Sequence, residues 1–388
     1  MKSLKNTKLV NKNFLIFLAP NFLKMGIDLI DEYKKNNSNS KIYVLCHGPR
    51  EVYNTAKKYL TNKISGIWDI EEFEKNCSLN DDINYEEIDN KMGKGYLAKI
   101  ISSDRSIGYG FVRGSIPRES HLKEKVQLNS FEYPSIISIK LFEFIEKIIQ
   151  DTKPQIVFCY AVASAASLIV SDLCKKNNVF YTTIKSTRIK DYFFIDTHYM
   201  TAFEEIQKEY NIKNRIYFDK EKASEIYFNF INQPTMPSYQ IRKISFIRKN
   251  QFTIMFLKLL KNFLKFMVSY ISSKNYEFFR LKRSYMEFIF SLKKMLISKK
   301  TFRDTLPKNK KFIYFSLQVE PEASTSIFSP HCTDQISVVE GLAKAAPSDM
   351  FIIVKENMYM LGRRSNNYYK ILKNHYRALQ KFRHKACV

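Results

Sequence analysis

The apolar positions of the first two hundred residues follow two rhythms. Two runs, Phe14-Leu15-Ile16-Phe17-Leu18-Ala19 and Lys41-Ile42-Tyr43-Val44-Leu45-Cys46, read as strands buried on both faces, since a sheet covered by helices has no polar side to present. Between them, Phe22 to Tyr33 carries apolar residues at 22, 23, 27, 29, 30 and 33, which is helical spacing. Glu51 to Leu60 predicts a second helix and Ile64 to Ile70 a short third strand. A more polar, helical stretch runs to about residue 130. Its Gly108-Tyr-Gly110-Phe-Val-Arg-Gly114 is not GxGxxG and reads as a turn rather than a phosphate cradle.

The clearest pattern lies between residues 135 and 184. Ile136 to Gln150 is an amphipathic helix broken by Asp151-Thr152-Lys153-Pro154. Gln155 to Tyr160 follows as a strand, and the small residues Ala161 to Ser167 open a helix to Lys176. Val179 to Ile184 is the next strand. Strand, small-residue turn, helix and strand in this order predict a doubly wound α/β sheet. Ligands of such sheets sit at the carboxyl ends of strands, which points to Tyr160–Ser164 and to Lys185–Arg188, with Arg188 either an anion contact or a solvated loop arginine.

After Pro307 the same alternation returns. Phe312 to Leu317 predicts a strand, Asp334 to Ala346 a helix, Met350 to Val354 a strand, and Asn366 to Phe382 a final basic helix with no strand after it. The expected organisation is an N-terminal Rossmann-like domain (1–235), a basic helical connector (236–306) and a partial C-terminal Rossmann-like domain (307–388).

Charge changes the picture in the connector. Between Arg242 and Arg303 sixteen Lys or Arg stand against Glu277 and Glu287, a local +14 out of a total of +25. An excess of this size implies an anionic partner. Phe252 to Ile271 reads as a helix on which Lys258, Lys261 and Lys265 form one stripe. Three lysines argue against a bilayer span, since each costs about 2.5–3.5 kcal/mol at the centre. Two readings stay open: a helix lying in an anionic headgroup layer, or a connector whose apolar face packs on the domains. Phe252, Phe256, Phe263 and Phe266 fall on the apolar side and do not interleave with the lysines, so no nucleic-acid partner is expected.

The 388 residues exceed one typical domain, and 45% hydrophobic residues supply a core. None of the six cysteines has CxxC spacing, so neither a metal nor a cofactor is expected, and the pattern suits a reducing compartment. Phe14 to Ala19 is too short for a leader or a span. The expected location is the cytoplasm, at the inner face of the plasma membrane.

Candidate chemistry gathers at two strand ends. Glu320-Pro321-Glu322-Ala-Ser324-Thr325 follows one predicted strand; paired carboxylates there can divide acid and base roles, or merely cap helix donors. Lys355-Glu356 ends the next strand, with Arg363 and Arg364 close behind, residues suited to phosphate through point charge and forked hydrogen bonds.

These segments resemble the bacterial capsular or surface polysaccharide biosynthesis proteins, GT-B-type glycosyltransferases related to Kdo transferases. The resemblance rests on Pro321-Glu322, Ser324-Thr325, Asp334-Gln335, Lys355-Glu356, Gly362-Arg363-Arg364 and Tyr368-Tyr369. More loosely it takes in Asp104-Arg105, Lys153-Pro154 and Thr187-Arg188-Ile189. It implies a GT-B-like fold and transfer of a sugar from a nucleotide-sugar donor to a lipid-linked or saccharide acceptor. Glu322 or Glu320 would assist the acceptor. Lys355, Glu356, Arg363, Arg364, Ser324 and Thr325 would hold the donor, and Arg188, Asp104 and Arg105 the acceptor side. Two features depart from the family. Its His-Pro pair is Asn357-Met358 here, and the chain ends where further βα units are expected, as in a truncated product. The alternative implied is a catalytically silent relative acting as a membrane-surface binding or scaffold protein.

Overall fold

The computed structural model describes residues 12–78, 84–104, 132–186, 193–200, 207, 220–232, 251–271, 285, 288–290, 292–293, 311–320, 322–357, 360–374 and 380–382. They divide into two compact units, the first ending at residue 232 and the second beginning at residue 251.

In the first unit β1 (Phe14–Leu18), α1 (Leu23–Asn36), β2 (Ile42–Cys46), α2 (Arg50–Leu60) and β3 (Gly66–Asp69) alternate as the apolar runs require. Three helices follow, α3 (Ile70–Asn76), α4 (Tyr85–Met92) and α5 (Tyr96–Ser103). The long α6 (Glu132–Thr152) then leads to β4 (Ile156–Cys159), α7 (Ala165–Lys176), β5 (Phe180–Ser186), β6 (Phe193–Asp196) and α8 (Lys220–Asn232). The sheet order is β3-β2-β1-β4-β5-β6. All neighbours run parallel except β6, which returns antiparallel along β5.

Every residue of β1 and β4 is buried, so both faces of the sheet are covered, and their lack of alternation follows from that. Phe14, Ile16 and Leu18 share a core with Phe22, Ile30, Val52, Ala56 and Leu60 of the first two helices. Gly26 lets α1 approach closely: a Cβ there would stand 2.3 Å from Leu18 Cδ2. Ser164 caps α7, its hydroxyl and that of Ser167 exchanging hydrogen bonds with each other's backbone N–H. Cys46, Cys159 and Cys174 are free and buried, and burial, with Asp69 nearby, pushes the Cys46 thiol up to about 12.

The second unit contains α9 (Gln251–Ile271), β7 (Phe312–Ser316), the short α10 (Ala323–Ser326), α11 (Gln335–Ala345), β8 (Phe351–Lys355), α12 (Asn366–Asn374) and β9 (Gln380–Phe382). Its strands form a parallel sheet in the order β7-β8-β9, over a core of Leu317, Val339, Ile352, Val354 and Leu372. The predicted α/β class, with parallel sheets in both halves, is what the structure shows. One expectation is corrected. The final helix ends at Asn374 instead of running to Phe382, and Gln380–Phe382 pairs with β8 as a third strand. Periodicity sees only local spacing, whereas the unpaired edge of β8 offers backbone partners that no local pattern encodes.

Candidate functional site at the strand ends

The carboxyl ends of β7 and β8 lie side by side, because Ser316 is in register with Lys355 and the Leu317 amide donates to the Lys355 carbonyl at 2.8 Å. The loop leaving β7 is pinned there. Buried Gln335, at the start of α11, accepts from the Gln318 amide at 2.6 Å through Oε1. Its Nε2 donates to Glu320 Oε1 at 2.5 Å.

Arg364 closes the arrangement from the turn after β8. Gly362, at φ 82°, supplies the left-handed residue of that turn, and the Arg363 amide donates back to the Met360 carbonyl at 2.9 Å. Arg364 then points inward. Nη1 donates to Glu320 Oε2 at 2.6 Å, Nε to Glu356 Oε2 at 3.0 Å and Nη2 to the Gln318 carbonyl at 2.6 Å. Its guanidinium lies 4.6 Å from the centre of the Tyr368 ring. Glu356 also accepts from Tyr369 Oη at 2.9 Å and from the Asn357 amide at 2.7 Å.

Side chains of Arg364, Glu320 and Glu356 are only 3%, 9% and 2% exposed. One cation thus serves two buried carboxylates. Burial pushes the Glu356 carboxyl above its ordinary range, and Arg364, Tyr369 and Asn357 offset this only in part. Burial opposes the Arg364 charge, but Glu356 and Glu320 more than compensate and hold it above its usual range.

Of the remaining predicted residues Thr325 is buried and the others are half-buried or exposed. Glu322 precedes α10 and is half-buried; its carbonyl accepts from the hydroxyls of Thr325 at 3.1 Å and Ser326 at 2.8 Å, and its carboxylate from Ser324 Oγ at 3.4 Å. Thr325 is buried, whereas Ser324 is partly exposed. Lys355 is half-buried at the tip of β8, with no side-chain partner among the described residues. Arg363 is exposed, its guanidinium 5.4 Å from the centre of the Phe290 ring. The structure therefore brings Glu320, Glu322, Ser324, Thr325, Lys355, Glu356, Arg363 and Arg364 to one edge of one sheet. It divides them into an internally bonded trio and the set outside it.

In the first unit the chain runs outward from β1 to β3 and returns on the other side at β4, so the sheet reverses direction between β1 and β4. Crevices at such reversals are the usual ligand positions of open α/β sheets. Asp104 follows α5. Arg105 and Arg188 lie outside the described residues, as does Met358. Sequence reasoning passed over Glu74: burial first, then Asp104, Glu71 and Asp69, push its carboxyl up to about 8, and a carboxylic acid protonated at neutral pH beside an aspartate is a recognised acid–base arrangement. Only the neighbouring acids Glu71 and Glu72 hinted at it in the sequence. Asp69 and Glu72 themselves pair with Arg50 at 2.5 and 2.6 Å. Beside β5, Lys185 pairs with Asp196 at 2.7 Å and donates to the His198 carbonyl at 2.8 Å.

No family model and no curated protein matches this chain. Solved structures do. UDP-GlcNAc 2-epimerase from Neisseria meningitidis bound to UDP-GlcNAc is 12% identical, over 97% of this chain and 72% of that one, with a TM-score of 0.24. A putative UDP-N-acetylglucosamine 2-epimerase from Listeria monocytogenes is 9% identical over 96% and 68%, TM-score 0.25. The UDP-GlcNAc 2-epimerase from Methanocaldococcus jannaschii is 9% identical over 96% and 73%, TM-score 0.22. Neither the identities nor the scores tie this chain to a shared activity. Among the described residues no helix is long and apolar enough to cross a membrane.

Proposed function

We propose that the protein binds a nucleotide sugar at the carboxyl edge of the β7–β8 pair and transfers the sugar to an acceptor hydroxyl in surface polysaccharide assembly. The observation that carries this reading is Lys355, a cation with no side-chain partner among the described residues, at the tip of one parallel strand whose neighbour leads into the Glu322–Ser324 turn. The resemblance of the flanking motifs to capsular polysaccharide transferases adds to it.

In this reading Glu322 takes the proton of the attacking hydroxyl as its oxygen bonds the anomeric carbon. The bond from that carbon to the nucleotide phosphate breaks, and Lys355 and Arg363 neutralise the departing phosphate. Ser324 holds the Glu322 carboxylate. Glu320, Glu356 and Arg364 fix the loop and do not touch the donor. Asp104 belongs to the acceptor side.

Thermal unfolding in the presence of UDP- and CMP-sugars tests the proposal. Binding raises the midpoint by mass action, by about 2.7 kcal/mol of stability at a hundredfold excess over Kd. The rise is expected with at least one nucleotide sugar and should vanish in Lys355→Ala. No rise with any of them, or a rise that survives Lys355→Ala, overturns it. A second reading, binding without transfer, is favoured by the internal saturation of Arg364 and Glu356. Nucleotide binding that depends on Lys355, with no sugar transfer to any acceptor, is the result expected of it.

A further inference from the structure

The sugar-transfer reading leaves α9 without a role. At 100° per residue, the side chains from Leu257 to Val268 of this 21-residue helix fall into three sectors. Leu259, Asn262 and Phe266 are half-buried and form the side that meets protein. Leu257, Leu260, Phe263, Leu264, Met267 and Val268 occupy about 140° of the circumference by that geometry, and they are 40–65% exposed. Lys258, Lys261 and Lys265, all exposed, edge this open sector, and the helix contains no Asp or Glu.

Of the two alternatives the sequence left open, packing of this apolar face is not what the described residues of the second unit show from Leu257 to Val268. Six large apolar side chains in one uncovered strip are more than the scattered exposure of an ordinary surface. Phe256, one residue before the open stretch, falls in the same sector and is 47% exposed; it meets Phe288 at 6.0 Å between ring centres, and neighbouring Phe290 lies under Arg363, so the strip is open from Leu257 onward.

We infer that this open face of α9 docks on an anionic lipid surface, the apolar strip entering the acyl boundary and the three lysines meeting headgroup phosphates. Charge selects the occupant. The strip sits in a segment carrying sixteen cations and two carboxylates between Arg242 and Arg303. A second copy of the chain would bring like-charged lysines together, whereas an anionic bilayer attracts them. The geometry is that of a helix lying in the interface plane, apolar below and cationic at its rim. This inference stands apart from the sugar-transfer reading.

Co-sedimentation of the full chain with vesicles tests it. The comparison is phosphatidylcholine alone against phosphatidylcholine with a third phosphatidylglycerol. Binding is expected only to the anionic vesicles. It should be lost as salt rises from about 0.1 M to about 1 M and the screening length falls from about 10 to 3 Å. Lys258→Gln/Lys261→Gln/Lys265→Gln should weaken it about a hundredfold, each lysine contributing about fivefold. Phe263→Ser/Leu264→Ser, on exposed positions that leave the fold intact by circular dichroism, should weaken it while keeping the preference for anionic lipid. Equal binding to both vesicles, no binding, or indifference to both sets of substitutions overturns the inference. So does a dimer in sedimentation velocity that Phe263→Ser/Leu264→Ser dissociates, since a second copy would then cover the strip.

Discussion

Replacing Arg364 by methionine keeps the apolar stem of the side chain while removing the one cation shared by Glu320 and Glu356. The bonds lost are 2.6 Å to Glu320, 3.0 Å to Glu356 and 2.6 Å to the Gln318 carbonyl. All three ionic groups are nearly sealed from water, so screening cannot absorb the change. Removing one partner of such a pair costs about 3–5 kcal/mol, mostly through the stranded charge. Glu356→Gln should cost less: an amide oxygen in the Oε2 place still accepts from Tyr369 and Arg364 Nε, only the Asn357 amide loses its acceptor, and Arg364–Glu320 remains as a neutral pair. The two substitutions together should couple by about 0.5–3 kcal/mol.

The sign of the pH effect is fixed by the same geometry. Without Arg364, Glu356 loses the charge that partly offsets its burial and favours its protonated form even more than it does already. A carboxyl raised in the folded state stabilises below its unfolded value and loses that contribution as pH rises, so the cost of Arg364→Met should shrink between about pH 8 and about pH 5. Urea unfolding followed by circular dichroism gives the total, and hydrogen exchange in 311–320 and 351–357 localises it. Trp68, the sole tryptophan, reports the first unit separately. A cost below about 1 kcal/mol, the range of exposed pairs, or one that is equal at both pH values, would refute the account of a sealed charge cluster.

Two further outcomes follow from the first unit. Glu74, held up to about 8 by burial, Asp104, Glu71 and Asp69, contributes stability below the ordinary carboxylate range that is lost as pH rises toward that value; Glu74→Gln should flatten the decline, and a slope identical in both proteins counts against it. Gly26→Ala places a Cβ 2.3 Å from Leu18 Cδ2 and 3.1 Å from Phe22 Cε1, so overpacking of about 1–3 kcal/mol should exceed the helix-propensity gain of about 1 kcal/mol. The urea midpoint read from Trp68 should fall; a midpoint unchanged or raised would show that α1 can back away from β1.

Much was legible in the linear chain. The runs at Phe14, Ile42 and Gln155 declared their strands because a strand buried on both faces needs only apolar residues in a row. Lys258, Lys261 and Lys265 declared their stripe because helical spacing is local. The strand-end loops drew attention to Glu320, Glu322, Lys355 and Arg364 together, since a carboxylate or cation just past a buried run is visible without coordinates.

What those residues do to one another was not visible. Arg364 meets Glu320 across 44 positions of sequence, and only the parallel register of β7 and β8 turns two strand ends into one ionic cluster. That register divides the candidates into groups spent on the fold and groups left facing outward. The Glu74 carboxyl likewise is pushed up by burial in the packing of α3 and then by Asp104, and β9 forms only because the edge of β8 is there to pair with. Sequence by itself determined which segments must be buried and which carry charge, because hydrophobic spacing is a property of neighbours along the chain. Tertiary structure alone decided which charges are sealed, shared or exposed, because solvation and Coulomb energy depend on distances between residues that the chain keeps far apart.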